Sequence, residues 1–138
     1  VKDITNCLVA VETKEGTIKA SYIHFDGIIE SVGDTLYKQY NTIQLVNELT
    51  KYGYYLFLPL KPEPYSEIHY PKYHLETSDA MELYYKNIKN FNKPQKFLNS
   101  KIFLKLNVIL FDYLYLFKTS EKQWFVNSSN KKFVLLKK

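Results

Sequence analysis

A chain of 138 residues with 46% hydrophobic and 17% aromatic side chains has apolar area for one core and too little for two, and this composition excludes a disordered polypeptide. Its formal charge of +5 comes from 19 basic and 14 acidic residues, and every basic residue is lysine. The lack of arginine excludes an arginine finger and the bidentate clamps that grip phosphate or guanine, and the positive sign excludes a DNA mimic.

The charge is unevenly spread. Residues 1–85 hold 7 lysines and 12 acids, a balance of −5, whereas residues 86–138 hold 12 lysines and 2 acids, a balance of +10. That basic half is either an ordinary solvated lysine face or a patch for an acidic partner. Cys7 is the single cysteine, so no intramolecular disulfide is expected, and its apolar neighbours mark it as a small core residue. No secretory signal pattern opens the chain, and the most apolar run, Ile102 to Phe117, is broken by Lys105, Asn107 and Asp112. These features predict a cytoplasmic protein with no membrane partner.

In chain order, Asn6 to Glu12 and Thr17 to Phe25 read as a β-hairpin around Thr13-Lys14-Glu15-Gly16, stopped by Asp26-Gly27. A first helix is predicted from Ser31, its cap, to Tyr40, with Val32, Leu36 and Tyr40 on one stripe. Gly33 in its first turn is a weakness unless the backbone must come close to a neighbour there. Asn41-Thr42 ends this helix and caps a second one, in which Ile43, Val46 and Leu49 or Thr50 face inward and Gly53 is the left-handed terminator.

Tyr54 to Leu60 reads as a short buried strand, and the prolines at 59, 62, 64 and 71 then break any long element, giving an extended loop with His69 and His74. Asp79-Ala80-Met81-Glu82 has capping-box spacing and predicts a third helix that ends before Pro94. From Ile102 to Leu110 alternation favours a strand, with helical spacing fitting almost as well. Tyr113 to Lys118, Gln123 to Asn127 and Phe133 to Leu136 read as strands. The expectation is a single α+β domain over residues 1–138, its sheet mainly antiparallel, with about three packed helices.

The run Tyr22-Ile23-His24-Phe25-Asp26-Gly27, then Val32-Gly33-Asp34-Thr35-Leu36, then Tyr40-Asn41-Thr42, resembles a family of small uncharacterised bacteriophage and mobile-element proteins. Their pattern runs Y-x-H-W-D-G, V/N-G-x-x-L and Y-N-T, and closes with a Y-x-Y-L-F … W-Y-V hairpin. Here that hairpin is matched by Phe111 to Phe117 and by Lys122-Gln123-Trp124-Phe125-Val126. Phe25 stands at the tryptophan position and Ile28-Ile29 replace a polar or proline-bearing pair. The resemblance covers the front half and the C-terminal hairpin, and it brings no activity that transfers residue by residue. It implies an accessory protein acting in a host cytoplasm.

Four sets of residues are candidates for chemistry. His24 and Asp26, two apart on an extended segment, could share a proton, but no nucleophile accompanies them, and the simpler reading makes His24 a half-buried strand residue and Asp26 a turn former. Tyr22, His24, Asp26, Gly27, Gly33, Asn41 and Thr42 are therefore assigned to a structural motif, with no catalytic residue, metal or cofactor. His24, His69 and His74 lack metal-ligand spacing, and Gly27 and Gly33 lack a phosphate-loop pattern. Lys86, Lys89, Lys93, Lys96, Lys101 and Lys105 alternate with Phe91, Phe97 and Phe103, which suits either a solvent face over core rings or a single-strand binding surface.

The expected function is a non-enzymatic phage-type protein that binds and inhibits a host protein or ribonucleoprotein complex, such as an anti-CRISPR or other anti-defence factor. The expected binding residues are Lys86, Lys89, Lys93, Lys96 and Lys101, with Tyr84 and Tyr85 as tyrosine contacts. The alternatives are a single-stranded nucleic-acid binder and, third, a small hydrolase or transferase using His24 and Asp26. Tyrosine surface could also form a homodimer seam.

Overall fold

The computed structural model describes residues 5–55, 57–61, 93–128 and 132–137. The predicted helix after Asp79, His69, His74, Tyr84, Tyr85, Lys86, Lys89 and Phe91 lie outside these residues.

Strand β1 (Cys7–Glu12) is apolar at every position but its last, as a strand covered on both faces requires. It pairs antiparallel with β2 (Ile18–Ile23) through the predicted hairpin. In the turn Gly16 takes φ 93, and Thr13 N–H donates to the Thr17 carbonyl at 2.9 Å. The other edge of β1 is filled by β5 (Tyr113–Lys118), which runs parallel to it with Val9 opposite Tyr115. β6 (Gln123–Asn127) and β7 (Val134–Leu135) continue antiparallel beyond β5.

On its far side β2 carries two short strands, β3 (Tyr54–Tyr55) in parallel and β4 (Gln95–Phe97) antiparallel. Among the described residues these seven strands form one sheet in the order β3-β2-β1-β5-β6-β7, with β4 also on β2. The α+β class holds, but the sheet is mixed and not mainly antiparallel. Tight turns announce antiparallel hairpins, whereas the β1–β5 pairing joins the two ends of the chain and has no local signature.

Helices cover both faces. A π-helical turn (Ile29–Gly33), α1 (Asp34–Gln39) and α2 (Ile43–Leu49) lie on one side, where Val32, Leu36, Tyr40, Val46 and Leu49 pack over Cys7, Val9, Val11, Tyr115 and Trp124. On the other side Phe103 of α3 (Ser100–Asn107) packs over Leu8, Ala10, Ile18, Leu114 and Leu116.

Several local expectations need correction. Ser31 does not cap the first helix: it lies inside the π-helical turn, whose preceding residue Ile28 makes no side-chain cap. Thr42 does cap α2, accepting from Leu45 N–H at 3.2 Å. Gly53 is not a left-handed terminator: α2 closes at Thr50, and the Gly53 carbonyl accepts from Tyr22 N–H at 2.9 Å. The stretch from Ile102 is helical and not a strand, because Asn99 caps it by accepting from Ile102 N–H at 2.8 Å. The strand predicted from Tyr54 to Leu60 is reduced to Tyr54–Tyr55.

The Asp-Gly corner has a different logic from a simple turn. Asp26, not Gly27, takes the left-handed backbone, with φ 58. Gly27 is needed for space: a Cβ there would lie 2.7 Å from the Thr5 carbonyl oxygen and 3.1 Å from Asn6 C. Its N–H donates to that same Thr5 carbonyl at 2.7 Å, and its own carbonyl accepts from the Tyr115 hydroxyl at 2.7 Å. Gly33 also allows a close approach, since a Cβ would meet Leu136 and Tyr115 side-chain atoms at 3.4 Å. The two glycines separate under substitution. Gly27→Ala should cost about 1–3 kcal/mol in denaturant unfolding, because backbone cannot yield, whereas Gly33→Ala should be near neutral, its side-chain neighbours shifting while helix propensity improves.

Candidate functional site

The alternation of β2 carries Tyr22 and His24 onto the α3 face of the sheet. His24 is only 1% exposed, more deeply set than the half-buried residue expected, and its Nδ1 shares a 2.8 Å hydrogen bond with the Tyr22 hydroxyl. Phe25 lies 4.4 Å from the imidazole by ring centroids. Burial in this apolar surround pushes the imidazole pKa down to about 4, so the ring is neutral at physiological pH. Because Asp26 leaves the extended conformation, the two-residue alternation that would align its carboxylate with His24 stops at the corner. Cys7 is sealed in the core, and burial raises its thiol well above the ordinary range. Among the described residues no group of three or more His, Cys, Asp or Glu side chains is gathered to hold a metal.

Three of the described tyrosines, Tyr40, Tyr55 and Tyr115, are internal braces, whereas Tyr37 is exposed. Tyr40 donates to the Pro59 carbonyl at 2.6 Å, Tyr55 to the Leu49 carbonyl at 2.7 Å, and the Trp124 indole to the Tyr40 carbonyl at 2.8 Å. Phe97 and Phe103 likewise face each other edge-on at 5.1 Å and close the α3 side of the core, so they offer no stacking platform.

Lysine gathers at the β2–β4 edge. Register sets Lys19 of β2 opposite Lys96 of β4, and alternation points both toward the side of the sheet carrying α2. Lys51, just past the end of α2, adds a third positive charge there: burial first, and then Lys96 and Lys51, hold the Lys19 ammonium below the ordinary lysine range. Like charges directly opposite on neighbouring strands cost about 0.2–1 kcal/mol, less in salt. Among the described residues the ion pairs are Lys38–Asp34 at 3.1 Å and Lys118–Glu121 at 3.8 Å, and neither touches this cluster. Lys51 has a local reason to be there, because a cation suits a helix C-terminus. Lys19 and Lys96 have none.

Of the sequence-expected binding residues, Lys93, Lys96 and Lys101 are described, and all three are exposed. From Lys93 to Phe111 there is no acidic residue, and the same stretch leaves Leu98 71%, Ile109 91% and Leu110 66% exposed. Lys19 and Lys51 were missed because they sit in the acidic half of the chain. Only the β2–β4 pairing brings Lys19 to Lys96, and β4 has just three residues to signal itself.

Comparison with protein-family models, with curated proteins and with solved structures returns no match to the chain.

The buried imidazole makes stability depend on pH with a defined sign. In the unfolded chain His24 protonates near its ordinary value of 6.5, in the folded chain only near 4, so between these values the unfolded state holds more protons. Unfolding free energy should therefore fall as pH drops from 6.5 toward 4, by about 3 kcal/mol in all. His24→Gln should flatten that window in urea titrations at stepped pH.

Proposed function

We propose that this protein is a non-enzymatic accessory protein of phage type that binds and inhibits an acidic host protein or ribonucleoprotein complex. An anti-CRISPR or other anti-defence factor is the concrete version. The observation that carries the reading is the Lys19–Lys96 cross-strand pair with Lys51 beside it, a concentration of positive charge that no described carboxylate neutralises. An anionic partner would relieve that repulsion on docking, so binding gains what the free fold loses. The exposed aliphatic residues Leu98, Leu106, Ile109 and Leu110 support a protein component in the partner, since a pure polyanion gives them nothing to pack against.

A second reading, direct binding of single-stranded nucleic acid, uses the same lysines as phosphate contacts and is favoured by the acid-free stretch from Lys93 to Phe111. Its weakness is the engagement of Phe97 and Phe103 with each other.

Capture from host lysate on the immobilised protein, with and without nuclease, separates the readings. The first expects a partner that survives nuclease, weakens as salt rises, and is lost when Lys19, Lys51 and Lys96 are all replaced by glutamine. Capture that disappears with nuclease transfers the function to the second reading. Capture indifferent to the three replacements overturns both.

A further inference from the structure

At the opposite end of the strand order from the lysine cluster, the β6–β7 edge and α1 enclose a groove of about 400 Å³, within the size range of small-ligand sites. Its apolar lining is supplied by Phe117, Trp124, Leu135 and Leu136. Tyr37, 46% exposed, adds a ring with free surface. Among the described residues the polar lining is Asn41, Gln123, Lys122 and Lys137: two amides, two ammonium groups and no carboxylate. All four of these residues are solvent-exposed.

We propose that this groove binds a nucleotide unit, its base against Tyr37 and its phosphate at Lys122 and Lys137. Each part of the site matches one part of that ligand. An aromatic ring with open surface offers a stacking partner to any base. Primary amides can each donate and accept, which suits the edge of a base. Ammonium groups suit a phosphate.

Orientation follows from the surroundings. A second groove of about 360 Å³ shares Tyr37, Leu136 and Lys137 but carries Glu30 and Asp34 in its lining, which repel a phosphate. The anionic end of the ligand therefore lies on the Lys122 side. Lys122 itself holds a left-handed backbone, φ 57, where glycine or asparagine would be less strained. The site is independent of the proposed partner surface, since none of its lining residues belongs to the Lys19–Lys51–Lys96 cluster.

The chain has one tryptophan, and it lines the groove, so the indole N–H resonance of Trp124 is a single, local reporter. AMP and UMP titrated into the full chain should shift that resonance saturably. Adenosine should bind at least about tenfold more weakly, and inorganic phosphate alone should leave the indole signal in place. Tyr37→Ala, at an exposed position, should weaken AMP binding about tenfold or more, and Lys122→Gln should weaken it severalfold while leaving adenosine unchanged. A short single-stranded oligonucleotide as a further arm distinguishes a strand-borne nucleotide, which then binds more tightly than AMP, from a free one, which does not. No saturable shift with any nucleotide at millimolar concentration, or a shift untouched by both substitutions, overturns the proposal.

Discussion

The constraint on which the rest of the molecule depends is the burial of β1 on both faces and both edges. Cys7, Val9 and Val11 enter one core, Leu8 and Ala10 the other, and β2 and β5 occupy the two hydrogen-bonding edges. A slip of one residue would exchange the two sets of side chains between differently shaped layers, so register here is strongly specified. Because β2 takes its register from β1, the position of Lys19 is settled from the middle of the sheet outward. In the β2–β4 pairing Lys96 stands opposite Lys19.

The same rigidity explains how the chain handles its aromatic residues. Large rings fill the layers, and their hydroxyls reach backbone carbonyls that no ladder uses: Tyr115 to Gly27, Tyr55 to Leu49, Tyr40 to Pro59. Each satisfied carbonyl fixes a loop against the sheet. The corner at Asp26-Gly27 is the clearest case, held by Thr5 on one side and Tyr115 on the other. The histidine beside it is held neutral among rings. Tyr40, Tyr55 and Tyr115 therefore serve internal fixation, while Tyr37, the lysines and a few aliphatic side chains are left on the described surface.

What the sequence reveals and what it hides follow the range of the interactions. The hairpin, the Val32–Leu36–Tyr40 stripe, the Thr42 cap and the β5–β6 hairpin rest on neighbours a few positions apart, and all are legible in the chain. The alternation from Ile102 to Leu110 is ambiguous by pattern, and one side chain, Asn99, decides it for helix. The parallel β1–β5 pair and the Lys19–Lys96 contact depend on tertiary pairing that no local spacing encodes. Gly33 shows the intermediate case: the residue type signals a close approach, and only the fold names Tyr115 and Leu136 as what is approached.

The central claim is that the β2–β4 register holds two ammonium groups in opposition that no described carboxylate compensates. A double-mutant cycle on Lys19→Gln and Lys96→Gln, read by urea unfolding of the free protein at low and high ionic strength, tests it most directly. The account predicts that each single replacement stabilises the fold at low salt by up to about 1 kcal/mol, that the double replacement gains clearly less than the two together, and that the coupling fades in high salt. Additive, salt-independent effects, or a loss of stability when Lys96 alone is replaced, would contradict it.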